Sequence, residues 1–279
     1  MAIFVTKADG SKQSFDREKI VKTCLRMGAN HEVAFEIAHQ VERRLYEGIT
    51  THKILQIVSR LIRKHKPAVK HLFDLRRGIS KMYSKPEFEV FVRVLLTDSG
   101  FQVKPNTILR GLCGEHEVDA IATKDDLTYL VEAKHHSNYH SLTGLDESRI
   151  ARAVIEDVTE GYTHGATDIK IDQAMIVTNT RYSTHAITYG SCRNILQVGW
   201  SYPGGFGLRE TIEKHKLYPL SCLRGVSTEV RQRLVDAGIV LIKQLLDQDS
   251  NYLEMRIGLP HQTVLSIMEK ARYTSETLW

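Results

Sequence analysis

Residues 117–134 read Glu117-Val-Asp-Ala-Ile-Ala-Thr-Lys-Asp-Asp-Leu-Thr-Tyr-Leu-Val-Glu-Ala-Lys134, and this stretch constrains the chain more than any other. Two apolar runs flank the polar turn Lys124-Asp125-Asp126, a pattern that predicts a β-hairpin. Strand side chains alternate, so Glu132 and Lys134 share one side while Ala133 points into the packing. Pairing of the two runs sets Asp119 beside Glu132. Two carboxylates and an ammonium then converge at the end of a sheet. Such a set suits a hard divalent cation with a lysine beside it, and its natural substrate is a phosphodiester.

A length of 279 residues predicts about two domains with room for a small third. The composition, 42% hydrophobic and 25% charged, is that of a folded soluble protein. No apolar run approaches the roughly 20 residues that span a membrane, and the start Met1-Ala-Ile-Phe-Val-Thr-Lys7 does not read as a secretory signal. Cys24, Cys113, Cys192 and Cys222 are scattered. That spacing excludes a zinc ribbon, argues against a disulfide framework and points to a reducing, cytoplasmic compartment. Charge is uneven: residues 1–83 hold 17 Lys and Arg against 8 Asp and Glu, while residues 84–279 hold 21 against 25. The basic excess predicts a polyphosphate or nucleic-acid partner for the N-terminal segment.

That first segment predicts a hairpin over residues 3–15, turning at Ala8-Asp-Gly10. Asp16 then caps a helix that runs to about Met27. Val33, Ile37, Val41 and Leu45 mark an amphipathic helix punctuated by Gly48. Thr50 or Thr51 caps a third helix carrying Ile54, Val58, Leu61 and Ile62. After a break at Pro67 a fourth helix is expected from about Ala68 to Met82. Val5-Thr-Lys-Ala-Asp-Gly10, Phe15-Asp-Arg-Glu-Lys-Ile20 and Gly48-Ile-Thr-Thr51 together resemble the ATP-cone domain, over about residues 1–83. The resemblance implies an adenine nucleotide, ATP or dATP, with phosphate contacts from Lys7 and Lys19 and a contact at Thr51. Lysines and helix N-termini are apt anion binders. The family's usual second basic residue after the hairpin lysine is replaced here by Ala8.

From Ser84-Lys-Pro86 the character changes. Phe88, Phe91, Val92, Leu95 and Leu96 mark a helix face ended by Ser99-Gly100. Phe101–Val103 reads as a strand, followed by a loop with Gly111 and Gly114 and then the hairpin. A helix carrying Ile150, Val154, Ile155 and Val158, the strand Ala174–Val177, a helix from about Thr184 and the strand Ile195–Val198 complete an α/β core. Phe88-Glu-Val-Phe-Val92, Glu117-Val-Asp119, Leu130-Val-Glu-Ala-Lys134 and Val177-Thr-Asn-Thr180 together resemble the Mrr-type branch of the restriction-endonuclease-like fold, with its PD-(D/E)xK signature. The resemblance covers about residues 84–216 and implies that Glu89 reaches the site. From Leu217 the runs Leu220–Ser227 and Met255–Pro260 each precede a helix. They resemble tandem helix-hairpin-helix units over residues 217–279, with Ser227 in place of a usual glycine. The expected fold is thus multidomain α/β: a helical ATP-cone with its hairpin, an α/β nuclease core and a small all-α C-terminal domain.

In this arrangement Asp119 and Glu132 supply carboxylates to Mg2+ (or Mn2+), the Ala133 carbonyl adds a third oxygen, and Lys134 holds or helps deprotonate the attacking water and stabilises the developing charge. His116, His135 and His136 lie nearby, but adjacent strand residues face opposite ways and do not chelate together. Thr178 and Asn179 sit at a strand end open to a phosphate contact, and Arg181 is a stronger phosphate partner. The reading is a nucleotide-regulated, metal-dependent endodeoxyribonuclease acting on double-stranded DNA as a homo-oligomer, in a restriction or defence role implied by the resemblance. The alternative is a nucleotide-responsive DNA-binding regulator that does not cut.

Overall fold

The computed structural model of the chain describes residues 3–7, 10–27, 29–65 and 74–278. The chain divides into two compact units, residues 1–74 with 223–226 and 261–279, and residues 75–222 with 227–260. The expected turn at Ala8 and Asp9, the break at Pro67 and the helix start at Ala68 lie outside the described residues.

In the first unit β1 (Phe4–Thr6) pairs antiparallel with β2 (Lys12–Ser14). α1 (Arg17–Arg26) starts where the Asp16 side chain accepts the Glu18 N–H, and α2 (His31–Glu42) where Asn30 caps Val33. α3 (Thr51–His65) buries all four of its expected apolar positions, Ile54, Val58, Leu61 and Ile62. These pack with Ala34, Ile37, Ala38 and Val41 of α2 into one core. α2 stops short of Leu45, although the apolar spacing continues to it. There Arg44 and Leu45 make tight turn bonds to Val41 and Glu42, which swing residues 46–50 back along β1. Gly48, at φ +78°, donates to the Phe4 carbonyl, and Thr6 donates to the Ile49 carbonyl. The left-handed conformation explains the glycine.

The second unit begins with α4 (Leu75–Ile79) and one wide helical turn at Ser84–Phe88 that runs into α5 (Glu89–Asp98). The five expected face residues of α5, Phe88 among them, are all buried. The strands β3 (Gln102–Arg110), β4 (Glu115–Lys124), β5 (Leu127–Lys134), β7 (Gln173–Thr178) and β9 (Ile195–Val198) form one sheet in the order β3-β4-β5-β7-β9. The first three are antiparallel, and β5, β7 and β9 are parallel. α5 packs on one face against Ala120, Ala122, Val131, Met175 and Val177. α6 (Leu145–Thr163) and α7 (Thr184–Cys192) cover the other face against Ile121, Leu130, Ala174 and Ile176. A short pair, β6 (Leu142–Thr143) with β8 (Arg181–Tyr182), borders the sheet end.

Two local expectations shift. The strand expected over 101–103 continues to Arg110. β3 is an edge strand, where Pro105 costs no ladder bond. In α6 the inward stripe is Ala151, Ile155 and Val158, while Ile150 is 57% exposed. After α8 (Leu208–His215) come α9 (Thr228–Asp236), capped by Ser227, then α10 (Ile242–Leu246), α11 (Ser250–Ile257) and α12 (His261–Leu278). Arg231 of α9 makes a buried 2.9 Å ion pair with Glu87, and Asp98 of α5 accepts from Lys243 and His215.

Candidate active site

The hairpin forms as the sequence predicts. Lys124 pairs with Leu127, leaving the two-residue turn Asp125-Asp126, with both residues at positive φ (51° and 61°). Such a turn matches the twist of its flanking strands. From there the register runs through Ala120↔Val131, which carries Asp119 to the level of Glu132. The Asp119 Oδ2 accepts the Ala133 N–H at 2.7 Å.

The alternation of β4 changes phase at this point. Val118 and Ile121 belong to the α6-side core, while Ala120 and Ala122 belong to the α5 side. The Asp119 carboxylate also turns to the α5 side, 3.9 Å from Lys85 Nζ, and the Asp119 carbonyl accepts from Arg93 of α5 at 3.1 Å. Two neighbouring residues, Asp119 and Ala120, therefore face the same way, while the β3–β4 register is the same on either side of this point. The Asp119 carboxylate is thereby brought toward Glu89, which opens α5 and is 3% exposed.

Glu132 and Lys134 stay on the opposite side of β5. Lys134 Nζ lies 2.8 Å from Glu132 and 3.4 Å from Glu147, in the first turn of α6. Burial raises the Glu132 carboxyl above its ordinary value, with the charges of Asp119 and Glu147 adding to the effect and Lys134 opposing it. Burial alone lowers Lys134, but its bonds and attraction to Glu132 and Glu147 outweigh that and leave it above an ordinary lysine. Glu89 is raised by burial and by the charge of Asp119, partly offset by Lys85.

Around the expected residues Asp119, Glu132, Lys134 and Glu89 the structure adds neighbours that the sequence does not single out: Lys85, Glu117, Arg93 and Glu147. Lys85 lies 3.3 Å from Glu89 and 3.7 Å from Glu117. The sequence carried a weak signal for Glu147, an acid in the first turn of the helix that follows the hairpin. For Lys85 it carried none.

The histidines are held structurally. His135 Nε2 bonds the Ile79 carbonyl at 3.0 Å and its ring packs on Phe88, with burial lowering its pKa. His116 pairs with Asp157 at 2.7 Å. Thr178 and Asn179 are not open to phosphate: both are buried. Asn179 accepts the His136 N–H and donates to the His136 carbonyl, each at 2.8 Å. Thr178 joins Thr143 and Thr180 in a hydroxyl cluster. The cause is the β6–β8 pair, which folds over that strand end. Arg181 remains exposed.

Asp119, Glu132 and the Ala133 carbonyl could offer oxygen donors, the ligand type that Mg2+ takes with one or two carboxylates and several waters. Among the described residues no three His, Cys, Asp or Glu side chains form a ready-made metal cage, and Mg2+ does not require one.

In the first unit Thr50, rather than Thr51, is the cap: its Oγ1 accepts the Lys53 N–H at 3.2 Å. Thr51 opens α3. A parallel bridge pairs Thr6 with Thr50, and Lys7 and Thr51 are the next residues of those two segments. Lys7 is exposed, and Lys19 lies 3.9 Å from Asp16 on the open face of α1.

The comparisons with known proteins give three matches along the chain. Residues 3–76 match the ATP cone domain, residues 80–197 a restriction endonuclease domain, and residues 218–273 the AF1548-like C-terminal domain. The crystal structure of a protein of unknown function, AF1548, is 32% identical with a TM-score of 0.59, covering 71% of this chain and 97% of that one. The chain belongs to the AF1548-like family. An uncharacterized protein of Archaeoglobus fulgidus (strain ATCC 49558 / DSM 4304 / JCM 9628 / NBRC 100126 / VC-16) is 35% identical over 178 residues, 64% of this chain and 96% of the relative. A second uncharacterized protein of that organism is 46% identical over 39 residues, 14% of this chain and 83% of its own length. This AF1548-like chain therefore joins an ATP cone to a restriction endonuclease-like domain, a nuclease domain, and Asp119, Glu132 and Lys134 lie within the nuclease match. No helix among its described residues is long and apolar enough to cross a membrane.

Proposed function

We propose that this protein is a metal-dependent endodeoxyribonuclease whose activity or assembly responds to an adenine nucleotide on its ATP cone. The observation that carries the reading is that the Asp119 carboxylate is bonded to the backbone of the strand that carries Glu132 and Lys134, which pair with each other at 2.8 Å. A three-part division belongs to it: residues 1–83 bind nucleotide, 84–216 cut, and 217–279 form a helix-hairpin-helix-like support.

A bound Mg2+ or Mn2+ would neutralise phosphate charge and acidify a water. Asp119, Glu132 and the Ala133 carbonyl would hold it. Lys134, kept protonated by Glu132 and Glu147, acts as a fixed cation toward the phosphate rather than as a base. Glu89, buried beside Asp119, orients a water on the α5 side. Lys7, Lys19 and Thr51 would meet the nucleotide phosphates, where lysines and the α3 N-terminus attract anions. A restriction or defence role, a homo-oligomer and a cytoplasmic setting are parts of the same proposal.

The test incubates supercoiled and linear double-stranded DNA with the protein and Mg2+ or Mn2+, with and without ATP or dATP. Cleavage should disappear in Asp119→Ala, Glu132→Ala and Lys134→Ala. Undiminished cleavage in all three removes the site. DNA binding without cleavage in wild type favours the non-cutting regulator. Calorimetric titration of wild type and Lys19→Ala with ATP and dATP tests the nucleotide: equal affinity, or none in wild type, removes it.

A further inference from the structure

Lys85 is a site residue whose position neither the signature nor the strand register explains. It lies in the turn before α5, 65% of its side chain is exposed, and its ammonium reaches inward to three carboxylates: Glu89 at 3.3 Å, Glu117 at 3.7 Å and Asp119 at 3.9 Å. Glu89 and Asp119 are both buried. Two buried carboxylates side by side repel each other and are poorly solvated, so a cation between them is strongly favoured. A flexible lysine supplies such a charge from outside, because its long stem keeps it free to withdraw.

We infer that Lys85 is an internal counter-ion to the Asp119 and Glu89 carboxylates and is displaced from Asp119 when a divalent cation binds that carboxylate. The inference rests on the metal-dependent reading of the site and names a positioning residue for it. Asp119 faces both groups: its Oδ1 meets Lys85 and its Oδ2 is tied to Ala133. A metal that takes the free lone pairs of Asp119 must compete with the Lys85 ammonium. Lys134 does not serve this purpose, since its partners are Glu132 and Glu147 on the other side of β5. One lysine thus stays with the reaction while the other yields its place.

The experiment measures Mn2+ binding to the full-length protein at pH 8 without DNA, by following free Mn2+ in electron paramagnetic resonance. Wild type is compared with Lys85→Met and Lys85→Gln, two neutral side chains of similar reach at an exposed position. Both variants should bind Mn2+ about fivefold more tightly, the scale of a partly exposed ion pair that no longer has to be broken. Unchanged or weaker binding in both variants, with wild type binding normally, overturns the counter-ion role and leaves the metal site standing. Failure of wild type and both variants to bind Mn2+ removes the metal reading as well. A drop in melting temperature of both variants with unchanged Mn2+ affinity identifies Lys85 as a structural ion pair and also overturns the inference.

Discussion

The Asp119 carboxylate accepts the backbone N–H of Ala133 at 2.7 Å. The acid that would hold a cation is therefore clamped to the strand that carries Glu132 and Lys134. Asp119→Asn keeps an acceptor for that N–H, whereas Asp119→Ala leaves a donor at the sheet end without its partner, at a cost of about 1–3 kcal/mol. Both variants should lose cleavage by about a hundredfold or more, but only the alanine variant should also lose stability in urea. Chemical denaturation alongside DNA cleavage separates the two effects.

Glu89 is raised by burial and by the Asp119 charge. An acid whose folded value exceeds its unfolded one contributes stability that is complete below the unfolded value of about 4.3 and is lost as pH rises through the folded value. Glu89→Gln cannot ionise. It should therefore be more stable than wild type at pH 7 to 8, with the gap closing toward pH 4, while its cleavage rate falls. Melting temperatures across that range check the sign.

Lys134 is raised by Glu132 and Glu147 against the pull of burial. Its charge should persist above the ordinary lysine value near 10.4, so its ion-pair contribution to stability is complete below that value and fades above it. Glu147→Gln should bring the Lys134 titration down toward ordinary behaviour. Nitrogen-detected NMR of the lysine ammonium groups follows this directly. An unchanged titration in the variant would show that Glu132 alone sets it.

Thr50 caps α3 and Thr51 opens it. Thr50→Val should cost about 1 kcal/mol of stability through loss of the cap. Thr51→Ala should leave stability nearly unchanged and weaken ATP binding. Calorimetry and thermal denaturation on both variants distinguish a cap from a ligand contact.

Much of this was legible locally. Phe88, Phe91, Val92, Leu95 and Leu96 recur at helical spacing and are all buried. The alternation and the Asp-Asp turn define the hairpin, and Asp16 announces α1. Where readings failed, a neighbour distant in sequence had intervened. Leu45 fell out of α2 because residues 48–50 pair with β1. Thr178 and Asn179 were closed off by the β6–β8 pair.

The amino-acid order by itself determined the turns, caps and apolar stripes, because those depend on residues within a few positions of one another, and it therefore determined that Asp119, Glu132 and Lys134 would meet on one hairpin. Only the tertiary structure decided which side each faces and which charges surround it. The phase change at Asp119, the reach of Lys85 to Glu89 and Glu117, and the approach of Glu147 to Lys134 arise from packing α5 and α6 on opposite faces of one sheet. Electrostatic interactions act through space, and the distances that set them exist only once those layers have closed.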